Sequence, residues 1–110
     1  MKNSKNVIIT RIDGSIKKIR LPNPQIISEG FFTERDQIVK IEIPEGVQII
    51  DSYAFECCDK LETVIFPQSL VRINKHAFYE CKCLIDVKYS ENVVAEEMAF
   101  YGCTSLLIQK

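Results

Sequence analysis

A unit of 22 or 23 residues recurs along the second half of the chain, and this repeat constrains the fold more than any other feature of the sequence. Each copy has an Ala-Phe pair, then Cys three residues and Leu six residues after the Phe. The copies begin at Ala54, Ala77 and Ala99. A fixed period of this length is typical of a solenoid, in which each unit buries its apolar side against its neighbours.

A strand-like segment recurs with the same period. Ile38-x-x-Ile41-x-Ile43-Pro44 matches residues 61–67, which begin 23 residues later, and residues 16–22, which begin 22 residues earlier. Alternating apolar residues predict strands with one buried face, and proline ends a strand because it lacks an N–H group. The repeat therefore extends back to Ile16.

A second apolar set lies between these strands. Ile50, Ala54 and Phe55 recur as Ile73, Ala77 and Phe78, and residues 27–32 carry a weaker version. Residues four apart share a helix face, so the spacing predicts one short helical turn in each coil. Strands alternating with such turns predict an α/β repeat solenoid.

The N-terminal segment predicts a β-hairpin. Residues 7–12 and 15–21 are strand-like, and Asp13-Gly14 between them is a strong two-residue turn signal. We expect residues 1–21 to form a hairpin cap that leads into the first repeat strand, with residues 22–110 forming the solenoid of a single domain.

Five cysteines raise the question of a metal site or disulfides. Cys58, Cys81 and Cys103 occupy one slot of successive repeats, which indicates packing, since a free cysteine behaves as a small buried hydrophobe. Cys57 and Cys83 lie outside this slot, have no assigned role, and do not complete the spacing of a zinc site. We expect no metal or cofactor, and the odd count argues against a disulfide framework.

Charge is uneven along a chain whose net charge is −1. Residues 1–20 hold six basic side chains and one acidic side chain, so binding of nucleic acid or an anionic surface by this hairpin is one alternative function. No aromatic residue interleaves these cations as a single-strand binder requires, so a solubilising role is the simpler interpretation.

No apolar run approaches the roughly 20 residues that span a bilayer. The apolar stretch at residues 7–9 is too short for a signal peptide. A cytoplasmic location is expected for the chain as written, with the cell surface or secretion as the alternative if the chain is a fragment.

The repeat resembles the BspA-type leucine-rich repeat family, whose pattern is close to I-P-x-x-V-x-x-I-x-x-x-A-F-x-x-C-x-x-L-x-x-V. The match is specific over residues 38–106 and weaker over residues 16–37. The resemblance implies a curved, right-handed solenoid with parallel strands on its concave face. It also implies contacts with protein partners, including adhesion, and it carries over no catalytic residues.

The concave face is the predicted partner-binding site. Ile65 is the only apolar member of that set and is a candidate anchor, although a solvated face that binds nothing is the simpler interpretation. The predicted residues are Lys18, Arg20, Lys40, Glu42, Thr63, Ile65, Asp86 and Lys88.

Two further interpretations remain. An apolar strand at Leu106, Leu107 and Ile108 has no visible cap and predicts a self-associating module, such as a homodimer. Catalysis is not expected, because the single histidine, His76, alternates with Tyr53 and Met98 in its repeat slot and has no nucleophile placed beside it. No small-molecule substrate is expected.

Overall fold

The computed structural model describes residues 5–106. These residues form two sheets built from short strands. The strands are β1 (Asn6–Arg11), β2 (Ile16–Arg20), β3 (Ile26–Ile27), β4 (Ile38–Glu42), β5 (Ile49–Ile50), β6 (Thr63–Ile65), β7 (Arg72–Ile73), β8 (Asp86–Lys88) and β9 (Val94–Ala95).

The first sheet has five strands in the order β2-β1-β4-β6-β8. Strands β4, β6 and β8 are parallel and in register, one from each successive coil. Their inward row, Ile41, Val64 and Val87, is buried or half-buried, which confirms the strands predicted at residues 38–44 and 61–67.

The hairpin expected at Asp13-Gly14 is present, and Asp13 Oδ1 accepts a 2.9 Å hydrogen bond from the Ser15 N–H. However, β1 lies between β2 and β4 and is antiparallel to both strands. Strand β2, although it has the spacing of a repeat strand, is therefore not the parallel neighbour of β4. The division into a cap at residues 1–21 and a solenoid at residues 22–110 stays a prediction.

The second sheet has four parallel strands in the order β3-β5-β7-β9, each of two residues. It occupies part of the segment predicted as a helical turn, and the rest of that segment forms successive turns. The described residues contain no α-helix, and their single helical element is a three-residue 3-10 helix at Arg35–Gln37. The helical part of the predicted α/β class thus has no counterpart in the residues described.

A third hydrogen-bonded ladder joins the turn segments 51–58, 74–81 and 96–103, which we call the turn face. The N–H groups of Tyr53, Phe55 and Cys57 donate to carbonyls of the next coil, and the pattern recurs one coil later from His76, Phe78 and Glu80. The residues in the first and last of these slots have positive φ: Tyr53, His76 and Met98, and Cys57, Glu80 and Gly102.

The core is a continuous stack of side chains from successive coils. The rings of Phe32, Phe55, Phe78 and Phe100 follow one another at 4.5 to 5.1 Å between centroids. Cys58, Cys81 and Cys103 are buried beside this stack, which confirms that their shared slot is a packing position. The described residues therefore form a β-solenoid of about three turns.

Candidate interaction surface

Strand register places most of the predicted surface residues in two rows across the outer face of the five-stranded sheet. We call this outer face the sheet face. The first row runs Lys18, Ile8, Glu42, Ile65 and Lys88. The second row runs Ile16, Thr10, Lys40, Thr63 and Asp86.

Arg20 lies outside these two rows, opposite Asn6 on β1. Seven of the eight residues expected on this face therefore share the two rows, and Arg20 shares their side of the sheet. The contribution of β1, through Ile8 and Thr10, was missed because only residues 16–22 of the hairpin have the spacing of a repeat strand.

A few apolar side chains lie among the polar residues of this face. Ile65 is 45% exposed on an interior strand of the sheet, and Ile16 is 65% exposed on the edge strand β2. Ile8 is half-buried between Lys18 and Glu42. The face thus offers separated apolar contacts set among charges, a combination that suits a protein surface more than a small ligand.

The charges of the face are mixed, with an excess of basic groups. Lys40 Nζ lies 3.7 Å from Glu42 Oε2, and both side chains are about two-fifths exposed, so this pair contributes little to stability. Lys18, Arg20 and Lys88 are exposed. An acidic partner surface would be complementary to this arrangement.

Two hairpin cations are engaged on the opposite side of the sheet. Arg11 Nε lies 2.7 Å from Glu34 Oε1, and Lys17 Nζ lies 3.3 Å from Glu34 Oε2. The hydrogen bonds from Arg11 first, and then from Lys17, lower the pKa of Glu34 to about 2 against the opposing effect of desolvation. These contacts fix the hairpin to the segment before β4.

Open depressions lie where the strands end. One has a volume of 460 Å³ and is lined by residues 5, 6, 8 and 42–46, beside Pro44. Another of 450 Å³ lies one coil further along, beside Pro67, and is lined by residues 66–68 and 88–90. Both are shallow and continue the sheet face, so neither has the enclosed form of a small-molecule site.

These observations fit one repeat family. The profile described as BspA type Leucine rich repeat region (6 copies) matches residues 12–109. The chain belongs to this family. No curated protein and no solved structure matches it.

In this BspA-type repeat, the Leu of each unit lies at the return to the five-stranded sheet. Leu61 and Leu84 are fully buried, and Leu106 packs half-buried against the core. Leu106 also lines a depression of 570 Å³ at the end of the described solenoid, together with Tyr89, Ala95 and Phe100. Leu107 and Ile108 lie outside the described residues, so the self-association predicted for this strand stays a prediction.

The cysteines and the histidine have distinct surroundings. All five cysteines are free, with Cys57 and Cys83 exposed. Hydrogen bonding with the thiols of Cys103 and Cys58, together with burial, raises the pKa of Cys81. Among residues 5–106, no three His, Cys, Asp or Glu side chains are arranged to hold a metal ion.

His76 is half-buried and contacts two tyrosines. Its Nδ1 lies 3.1 Å from the Tyr53 hydroxyl, and its ring packs edge-on against Tyr79. The sequence signal for this cluster was the 22-residue spacing of Tyr79 and Tyr101, which directly follow the Phe of the Ala-Phe pairs.

The described helices include none with the length and apolar character needed to cross a membrane.

Proposed function

We propose that this BspA-type repeat protein is a non-enzymatic interaction module that binds another protein on the sheet face. The observation that carries the proposal is the row Lys18, Ile8, Glu42, Ile65 and Lys88, in which exposed Ile65 stands among charges on a hydrogen-bonded sheet. An apolar anchor surrounded by polar groups is the usual composition of an interface hot spot.

The sheet is suited to this role because its strands are held in register by backbone hydrogen bonds. A surface that is ordered before binding loses little conformational entropy when the partner arrives. We further propose that this sheet lines the concave side of a right-handed solenoid, where a partner would contact several coils at once. Family membership supports a role in protein interaction in general. We propose adhesion as the specific form of this role if the protein is located at the cell surface.

The test is selection of binding domains from a display library against the immobilised protein, followed by affinity measurements on two variants. Ile65→Glu places a charge in the row and is expected to weaken sheet-face binders by about tenfold or more. Ile85→Glu is the matched control, since Ile85 is 52% exposed but precedes β8 and lies outside both rows. Equal loss in the two variants, or no loss in either, would count against the sheet face as the preferred surface.

A further inference from the structure

The turn face carries a cluster of aromatic rings that is separate from the residues of the sheet face. Its members are Tyr53, His76, Tyr79 and Tyr101, which contact one another at centroid distances of 5.3 to 6.1 Å. Three of the chain's four tyrosines therefore lie in one cluster.

The cluster consists of two columns that follow the repeat. One column contains Tyr53 and His76, with Met98 in the next slot. The other contains Tyr79 and Tyr101, whose rings are stacked at 5.5 Å with an interplanar angle of 14°. The rings of different columns meet edge to face, at angles of 64° to 83°.

These rings lie outside the core. The phenylalanine stack from Phe55 to Phe100 fills the interior behind them, whereas Tyr101 is 47% exposed and Met98 is 46% exposed. Tyr53, His76 and Tyr79 are half-buried. A group of partly exposed aromatic and thioether side chains is characteristic of a binding surface rather than of a solvated face.

A carboxylate completes the second column. Glu56 occupies the slot of Tyr79 and Tyr101 in the preceding coil. Arg35 donates to the backbone carbonyl of Glu56 at 2.5 Å, but its Nη1 is 3.9 Å from Glu56 Oε1, and the Glu56 side chain is 39% exposed. The carboxylate is therefore partly exposed, in a loose ion pair with Arg35, in the slot that precedes Tyr79.

The turn face is acidic, in contrast to the sheet face. Residues 51–58, 74–81 and 96–103 hold five carboxylates and one lysine, Lys75, and Glu96 is paired with Arg72 at 2.6 Å. Lys82, just outside these segments, is well exposed and lies 3.7 Å from Glu80. Burial and then the charge of Glu80 raise the pKa of Tyr79, and burial followed by the charges of Glu56, Asp59 and Glu80 raises the pKa of Cys57.

We propose that the turn face is a second interaction surface, and that it binds arginine side chains presented by a protein partner. A guanidinium group is planar, stacks on a tyrosine ring, and donates paired hydrogen bonds to a carboxylate. Stacked Tyr79 and Tyr101, with Glu56 at the end of their column, provide both kinds of contact. A lysine ammonium group would gain the charge interaction but not the stacking.

The test is a nuclear magnetic resonance titration with three short peptides of the form acetyl-Gly-X-Gly-X-Gly-amide, in which X is arginine, lysine or citrulline. Citrulline keeps the planar shape of arginine but has no charge. We expect the arginine peptide to shift the signals of Tyr79 and Tyr101, and to bind at least fivefold more tightly than the citrulline peptide and more tightly than the lysine peptide.

Two variants separate the rings from the carboxylate. Tyr101→Leu and Glu56→Gln should each weaken the arginine peptide at least threefold, whereas Ile65→Ala on the sheet face should leave its affinity unchanged. Circular dichroism verifies that each variant is folded, and Glu56→Gln retains the backbone carbonyl that accepts a hydrogen bond from Arg35. Equal binding of the arginine and citrulline peptides, signal shifts confined to the sheet face, or self-association through the rings would each overturn the proposal.

Discussion

The rings of Phe55 and Phe78, 23 residues apart in sequence, are stacked at 4.5 Å between centroids with an interplanar angle of 16°. Both side chains are fully buried. This pair is the centre of the core stack, so each coil depends on its neighbours for the burial of its largest side chain.

Replacing Phe78 with alanine should therefore be severely destabilising. The substitution removes contacts with Phe55 and Phe100 and leaves a cavity, so we expect a loss of about 3–5 kcal/mol in the free energy of unfolding. Urea denaturation measures this loss. Ile85→Ala, at an exposed position, is the control and should stay within about 0.5 kcal/mol of the parent. A loss at Phe78 no larger than at Ile85 would contradict the proposed coupling between coils.

Thiol reactivity should separate the cysteines into two groups. A thiol reagent should modify only the thiols of Cys57 and Cys83 in the native protein, and all five cysteine thiols after denaturation. Cys58, Cys81 and Cys103 are buried, and hydrogen bonding and burial raise the pKa of Cys81, which keeps its thiol protonated. Mass spectrometry of the modified peptides identifies the sites. Rapid native labelling of Cys81 would show that the stack opens readily.

The positive φ at Cys57 predicts an unusual response to glycine. Cys57 has φ of 57°, a left-handed conformation that costs a residue with a Cβ roughly 1 kcal/mol or more. Cys57→Gly removes this strain, so it should be neutral or stabilising despite the greater freedom of glycine in the unfolded chain. Cys83→Gly, at an exposed position without positive φ, should lose about 0.5–1 kcal/mol. Thermal unfolding of both variants measures the difference, and an equal loss in both would contradict the strain at Cys57.

Cys57, Glu80 and Gly102 occupy the same slot in the three successive turn-face segments. Gly102 should not tolerate a side chain. Its φ is +83°, and an added Cβ would lie 2.7 Å from Glu80 Oε2 and 3.2 Å from Glu80 Cα. Gly14 has a similar φ of +88° but has no heavy atom within 4 Å of the same position. Gly102→Ala should therefore lower the melting temperature more than Gly14→Ala, which carries the backbone strain alone. Equal effects would show that Glu80 moves aside without cost.

Stability should fall in acid through Glu34. Its pKa is lowered to about 2 by Arg11 and Lys17, whereas an unpaired glutamate titrates at about 4.3. Because the folded-state pKa is the lower one, the stabilisation is fully present above the unfolded value and is lost as the pH falls from about 4.3 towards 2. Glu34→Gln should remove this part of the pH dependence, as denaturation between pH 2 and 6 would reveal. Glu29→Gln, at an exposed glutamate, is the control, and an unchanged pH profile in Glu34→Gln would exclude the ion pair as the source.

The period of the sequence predicted the elements that repeat and little of what departs from repetition. Strands β4 and β6 lie within residues 38–44 and 61–67 and the cysteine slot is buried, because burial imposes one residue type on equivalent positions. The place of β1 was missed because residues 16–22 have the spacing of a coil strand, and spacing does not specify which strand lies beside which. The short strand at Ile49–Ile50 was taken for a helical turn because the spacing of Ile50 and Ala54 suits both structures.

The candidate surfaces show the same limit. The alternation of residues along the strands predicted the rows of the sheet face, except for Ile8 and Thr10, which β1 contributes. The ring cluster depends on the left-handed residues of the turn face, and Tyr53, Cys57, His76 and Glu80 give no compositional sign of positive φ. Gly102, aligned with Cys57 and Glu80, was the one residue that could have revealed this ladder.

Because β1 is antiparallel to β4, the two ends of the solenoid differ in whether a further coil can be added. A strand antiparallel to β4 occupies the edge on which a preceding parallel coil would have to stack, so a duplicated unit inserted there would find no matching template. Strands β8 and β9, in contrast, are parallel to β6 and β7, the strands that precede them in each sheet. Lengthening by unequal exchange between repeats, or by an engineer who adds units, is therefore directional: new coils are accommodated on the side away from the hairpin.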